Sequence, residues 1–311
     1  MKNGLKISLL LALIPMSSLY ALVDYSDSST SSYTPSSAPS ISAPVAKSTA
    51  RASKPSSSGQ NTASGMFEFN SYYRSVKVVD GEDTAKVAMT GINSRLRPIS
   101  QAYLDLSYYG AKSDSTLLAT SSKNQKGNPV AKLGINWFDV GSGMDRATVD
   151  FYGGMMLGQK GSDFAATRDD KIFGIETAKS LGSLVVGLGY ELRFTGAPKN
   201  EEEMDIGNIQ TLNAMLGMMV SHDISFQVDA RYVNVGQSGD ELRMQRLAQK
   251  VSFGAISPSL NLGVTPLVEL SLGADFRTKR AENESGIYQA KLWDMSYALG
   301  NSIHFGLNIR I

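Results

Sequence analysis

The sequence contains no cysteine and only two histidines, His222 and His304. Without cysteine there is no disulfide, no thiolate nucleophile and no lipidated N-terminus of the lipoprotein kind. Two histidines far apart give no zinc-binding pair, and neither a phosphate-cradling glycine loop nor an acidic calcium motif occurs. Metal, nucleotide and redox cofactors therefore find no ligand set in this sequence. Charge is scarce and balanced, with 19% charged residues and a formal net charge of +1. That excludes the concentrated basic face that nucleic acid requires. Also missing is any apolar run of the about 20 residues a membrane helix needs.

The N-terminus carries a shorter apolar run. Lys2 and Lys6 precede residues 7–14, followed by Pro15 and a stretch of small residues ending at Ala21. A basic segment, a short apolar segment and a small residue at the cut describe a secretory signal peptide over residues 1–21. Residues 22–64 then form a Ser-rich stretch with Thr, Ala and Pro, in which Ile41 and Val45 are the aliphatic exceptions beyond Val23. Such a composition buries too little apolar surface to offset its ordering entropy, which predicts a disordered tether. Lys47, Arg51 and Lys54 make its second half only mildly basic.

From residue 65 to 311 the pattern is two-residue alternation punctuated by turn residues, the mark of strands with one apolar and one polar face. Twelve segments follow: 66–79, 84–94, 101–110, 130–138, 146–157, 171–179, 184–195, 210–220, 224–235, 247–264, 268–277 and 293–311. Of these, 171–179 is the weakest, and 247–264 switches parity around Pro258 as a bulge would cause. In the second segment Ala85, Val87 and Met89 oppose Lys86, Ala88 and Thr90. After the first hairpin, short turns alternate with long links. This asymmetry belongs to a transmembrane barrel with short turns at one rim and long loops at the other. The expected fold is thus all-β, a single antiparallel transmembrane barrel of about 12 strands.

The last segment has the clearest pattern. Trp293, Met295, Tyr297, Leu299, Ile303, Phe305, Leu307, Ile309 and Ile311 share one face, interrupted only by Asn301. It resembles the closing strand of Gram-negative outer-membrane proteins, which usually end on an aromatic residue where this chain has Ile311. The resemblance implies a porin-like barrel in the outer membrane of a Gram-negative bacterium, in contact with outer-membrane lipids and lipopolysaccharide. In hydrocarbon every backbone amide must be paired, so the sheet must close without a free edge. Apolar faces then meet lipid. Tyr73, Tyr108, Trp137, Tyr190, Phe194, Tyr232, Phe276, Trp293 and Tyr297 fall near strand ends, as aromatic girdles do.

The opposite faces would line the lumen with both signs of charge. Arg74, Lys86, Lys132, Arg146, Arg193, Arg231, Arg277 and Arg310 stand against Asp105, Asp150, Glu191, Asp229, Glu269 and Asp275. Such a lining suits a narrow channel for small polar solutes or ions. It suits equally a cross-strand ladder that closes a non-conducting structural or surface barrel. Small lumen positions (Gly134, Ala88, Gly187, Gly189, Gly273, Ala298, Gly300 and Gly306) favour some aqueous space. Of the two histidines, His222 reads as a turn residue. His304 shares a face with Ser302 and lies near Asn308, so a lipid hydrolase is the third reading, although no acid partner is evident in the sequence. Finally, Glu201, Glu202, Glu203 and Asp205 read as a solvated loop tip, with divalent ions as the alternative use.

Overall fold

The computed structural model describes residues 67–80, 83–113, 124–141, 145–282 and 284–311. The expected export signal (1–21) and tether (22–64) lie outside the described residues. Along the chain run β1 (Phe67–Asp80), β2 (Asp83–Ile99), β3 (Ala102–Ser113), the two-residue β4 (Gln125–Lys126), β5 (Val130–Val140) and β6 (Ala147–Met156). Then come β7 (Asp170–Leu181), β8 (Leu184–Phe194), β9 (Ile209–Ser221), β10 (Ile224–Val235), β11 (Val251–Thr265), β12 (Val268–Lys279) and β13 (Ser302–Arg310). Leaving β4 aside, each strand pairs antiparallel with its neighbours, and β1 pairs with both β2 and β13. The ring of twelve long strands is therefore closed, as the alternation predicted. Phe67 and Ile311 exchange both backbone hydrogen bonds (3.1 and 2.8 Å) at the seam. Among the described residues no long strand presents an unpaired edge to lipid, which is the condition for crossing hydrocarbon with strands.

Two-residue turns at Gly182-Ser183, His222-Asp223 and Pro266-Leu267 mark one rim, and the longer links gather at the other. The outer wall is apolar: Leu133, Trp137, Leu188, Leu212, Phe276 and Ile303 are among the exposed large side chains, with Trp137 at 69% and Ile303 at 65%. Strand β7, the weakest in the sequence, holds a full ladder to both β6 and β8. Strand β11 departs from expectation. Its inward positions run unbroken from Val251 to Asn261, and its register shifts sit at Gly254/Ala255 and Gly263/Thr265 rather than at Pro258. Pro258 points outward, and its missing N–H removes one ladder bond without reversing the faces.

The larger departure is the chain end. Only Ser302–Arg310 is strand. Residues 280–282 and 284–301 instead turn into the barrel at the long-loop rim, carrying the short helix α1 (Glu284–Gln289) and a 3₁₀ turn at Ser296–Ala298. Trp293, Met295, Tyr297 and Leu299, expected on lipid, are buried inside, Trp293 to 1% exposure. They form a hydrophobic core with inward residues of β1, β2, β3, β10 and β11 and with Phe164, Ile206 and Leu247 from the loops. A membrane strand needs only about 9–11 residues, so the earlier half of the alternating run was free to serve another dry environment. Gly300 is required there, because any Cβ on it would collide with the Lys77 carbonyl of β1.

The same core explains an inverted hairpin. Ala85, Val87 and Met89 of β2 point inward with Val76 and Val78 of β1, while Lys86 and Thr90 are exposed on the outer wall. Beyond the lipid belt water lies outside and the dry side is the plugged interior, so the apolar face turns in. Lys86 is thus removed from the expected lumen lining.

Candidate functional site

Below the hydrophobic core, toward the short-turn rim, the lumen holds a cavity of about 150 Å³ bordered by Arg95, Arg97, Asp139, Arg146, Asp150, Glu176, Glu191, Arg193, Asp229, Arg231 and Asp294. Alternation along the strands places these groups. Each inward position is followed by a lipid-facing one, so polar side chains of neighbouring strands stack around the interior.

The charges are paired across strands. Arg95 grips Asp105 with two hydrogen bonds of 2.6 Å and lies over the Tyr103 ring, 4.2 Å from its centre. Lys132 bonds to Glu191 and sits over the Tyr152 ring, whose hydroxyl donates to the same carboxylate at 3.0 Å. Glu191 also meets Arg193 at 3.5 Å, and Arg193 in turn bonds Asp294 of the inner segment. Arg74 reaches Asp275 at 3.5 Å, and Asp229 accepts from Gln227 at 2.9 Å. Arg231 lies 5.3 Å from the centre of the Tyr297 ring, again on the inner segment. Asn136 donates to Asp150 at 2.8 Å. Buried charges persist only when neutralised and hydrogen-bonded, so this ladder braces the wall as well as giving the lumen its polarity.

The glycines predicted to open space are partly filled. The Tyr103 ring occupies the place a Cβ of Gly134 would take, and the His304 ring does the same at Gly273. Ala88 faces outward beside Lys86, and Ala298 and Gly300 belong to the inner segment. Tyrosines on cross-strand glycines are a packing device: the ring covers exposed backbone and stiffens the sheet.

Among the polar ties that hold the inner segment are three from arginines. Arg193 bonds Asp294; Arg277 pairs with Glu284 at 3.0 Å and donates to the Ala298 carbonyl at 3.4 Å. The third is Arg168, fully buried in the loop before β7. It donates to Asp170 (3.1 Å), Glu203 (3.2 Å) and the Ala290 carbonyl (2.7 Å). Trp293 completes the closure, stacked edge-on against Phe164 (4.7 Å) and Tyr288 (5.4 Å), with its N–H on the Asp163 carbonyl at 2.9 Å. Glu203 and Asp205 are accordingly not a solvated tip. Glu203 is consumed by Arg168 and the Thr167 amide, and Asp205 by Ser238.

No protein-family model and no curated protein matches the sequence. Among solved structures, the outer-membrane channel from Pseudomonas putida F1 superposes with a TM-score of 0.57 at 10% identity, over 83% of this chain and 100% of that one. The fold is that of an outer-membrane β-barrel. The NanC porin follows at a TM-score of 0.45 and 10% identity, over 79% of this chain and 100% of its own. OccAB1 of Acinetobacter baumannii gives 0.41 and 9%, over 80% and 96%. At these identities the likeness concerns fold alone.

Within the barrel, the residues expected to line the lumen fall into four groups. Arg74, Asp105, Lys132, Glu191, Arg193, Asp229 and Asp275 are buried inside. Asp150, Arg231, Glu269, Arg277 and Arg310 are half-buried, with Glu269 and Arg310 paired at 3.4 Å near the short-turn rim. Arg146 is half-exposed at that rim, bound to Asp139 at 2.8 and 2.6 Å. Lys86 alone stands on the outer wall. Sequence reasoning misses Arg95 and Arg97, which lie just past the second segment's expected end at Ser94, although the alternation runs on through both. It also misses Arg168, for which no period or motif gives a signal, while Asp294 falls on the polar face of the last segment with no period to name its partner.

The second histidine has the acid partner that the sequence did not reveal. Asp275 lies 3.7 Å from His304 Nδ1 and accepts from Ser257 (2.6 Å) and from Ser302. Both hydroxyls give their protons to the carboxylate, whereas a serine nucleophile must give its proton to the imidazole. His222 occupies the β9–β10 turn, bonded to Asp223 at 2.7 Å.

Proposed function

We propose that this protein is an outer-membrane channel for small polar solutes or ions, kept shut at its long-loop rim by residues 280–301. Its export signal and loop asymmetry support residence in the outer membrane of a Gram-negative cell, with the long loops outward. One observation carries the channel reading: a charged, partly open cavity lies beneath a separately tethered inner segment, rather than beneath side chains of the wall itself. A lumen closed only by wall residues would be structural. A lumen closed by a segment held on polar ties to wall and loops can open when those ties release, since an ion pair exposed to entering water loses little.

Planar-bilayer conductance of the purified protein tests this. Wild type should give rare, small steps, and Asp294→Asn should raise the open fraction by at least about ten-fold through loss of the buried charge partner of Arg193. No steps in either protein, with folded barrel present, would establish the non-conducting structural barrel instead. That rival draws on the dry core of Trp293, Leu292 and Leu299, which fills the long-loop rim.

A further inference from the structure

The outer wall carries one feature that the channel does not use. Lys77 and Lys86 are direct cross-strand partners on β1 and β2, and both are exposed on the outer side of the wall above the apolar belt. Lys112 of β3, also exposed, stands opposite Ala88, one diagonal step from Lys86. None of the three ammonium groups makes an ion pair or hydrogen bond among the described residues. Like charges directly opposite on a sheet repel, so the wall itself gives no reason to gather them.

Their height along the barrel does. On β1 the outward positions run Phe67, Phe69, Ser71, Tyr73, Ser75, Lys77, and on β3 they run Leu104, Leu106, Tyr108, Gly110, Lys112. Tyr73, 48% exposed, and Tyr108 end the apolar belt on this side. At about 3.4 Å per residue along strands tilted by about 40°, Lys112 stands roughly 5 Å above the Tyr73 level and Lys77 and Lys86 roughly 10 Å. Aromatic girdles mark the headgroup boundary, and flexible lysine stems reaching back toward it bring the three ammonium groups to the headgroup phosphates. Elsewhere on this rim, β9 and β10 present the neutral Gln210 and Asn234, and β7 a lone Lys171.

We propose that the β1–β2–β3 face binds the phosphates of lipopolysaccharide, with its acyl chains lying on the apolar belt formed by Ile92, Leu96, Leu104 and Leu106. The phosphate charge removes the Lys77–Lys86 repulsion, and three ammonium donors span two adjacent phosphate groups better than one. This inference rests on the outward orientation of the long loops stated above.

The test is titration of the full detergent-solubilised chain with fluorescent lipopolysaccharide, with the same lipid enzymatically dephosphorylated, and with phosphatidylglycerol. Folding is checked by heat-modifiable gel mobility. Wild type should prefer intact lipopolysaccharide over both other lipids. Replacing all three lysines (Lys77→Gln, Lys86→Gln, Lys112→Gln) should weaken binding roughly a hundred-fold, at about five-fold per lysine, while Lys171→Gln changes it little. Equal binding of the dephosphorylated lipid by wild type overturns the proposal even if the triple variant fails to fold. Binding of phosphatidylglycerol as tight as lipopolysaccharide overturns it too, as does an equal loss in Lys171→Gln. A barrel that fractionates with the outer membrane and conducts, yet fails these arms, refutes this site and leaves the channel reading standing.

Discussion

Arg168→Met is the sharpest test of how the barrel is kept shut. Arg168 has a fully buried side chain and ties together the β6–β7 loop, Glu203 of the β8–β9 loop and the Ala290 carbonyl of the inner segment. Methionine preserves most of the buried stem but removes every donor. Glu203 retains the Thr167 amide and Asp170 the Gly196 amide, so each carboxylate keeps one partner. Removing one member of a buried ion pair costs about 3–5 kcal/mol when nothing relaxes. Here relaxation is available, because these loops stand at the long-loop rim and can admit water without unzipping the strands. The loss should therefore appear as local opening: at about 1.4 kcal/mol per tenfold, opening of 157–169, 195–208 and 284–290 rises roughly a hundred-fold. Amide exchange read by mass spectrometry measures this peptide by peptide. Strands β7 to β10 should stay protected near the short-turn rim, and conductance steps should become more frequent. Unchanged exchange across 284–290 would show that Arg168 does not hold the segment. A uniform rise through the strands would show that it supports the whole barrel rather than the closure.

Three other outcomes follow from the same geometry. Phe305, 48% exposed on the outer wall, and Gly306, turned inward, are neighbours on β13. Phe305→Arg should impair assembly by roughly 2–4 kcal/mol near the bilayer midplane, more than Gly306→Arg does; better folding of Phe305→Arg in a refolding titration would reverse the facing of this strand. Trp293→Ala should leave a void in the rim core worth about 3–5 kcal/mol, seen as loss of near-ultraviolet circular dichroism while strand content persists. Asp169, in the β6–β7 loop, is held below its ordinary value of 3.8 first by the Lys199 ammonium (2.6 Å) and then by the Gly158 amide (2.7 Å). A lowered folded pKa contributes stability above the ordinary value that fades as pH falls through the folded one. The opening equilibrium at Gly158 and Lys199, read from exchange corrected for its intrinsic pH dependence, should thus be flat from pH 7 to about 5 and rise, modestly for so exposed a pair, only below about 4; a rise already at pH 6 contradicts the assignment.

Alternation in the sequence carried the wall because a strand's faces differ by one residue and lipid accepts only one of them. Strand number, closure at the chain end, and the inward charges of β5, β6, β8, β10 and β12 were legible for that reason. The facing of Val87 and Lys86 was not. Alternation identifies which residues share a side, but the dry side changes from outside to inside where the β1–β2 hairpin leaves the belt. Pro258 illustrates a smaller limit: a missing amide proton was read as a bulge, yet the neighbouring ladder held the register.

What the sequence determined by itself was a closed, lipid-facing sheet with a mixed-charge interior, since that follows from period, composition and turn spacing, all local properties. Only the tertiary structure decided whether the interior is open. Trp293 to Leu299 alternates like a strand, and period two cannot tell a lipid-facing wall from a turn-rich plug buried in a lumen. Arg168 and Asp294 acquire their roles from partners in distant loops and strands, Glu203, Ala290 and Arg193. Those juxtapositions exist once twelve strands have closed into a ring and the last long link has nowhere dry to go but inward.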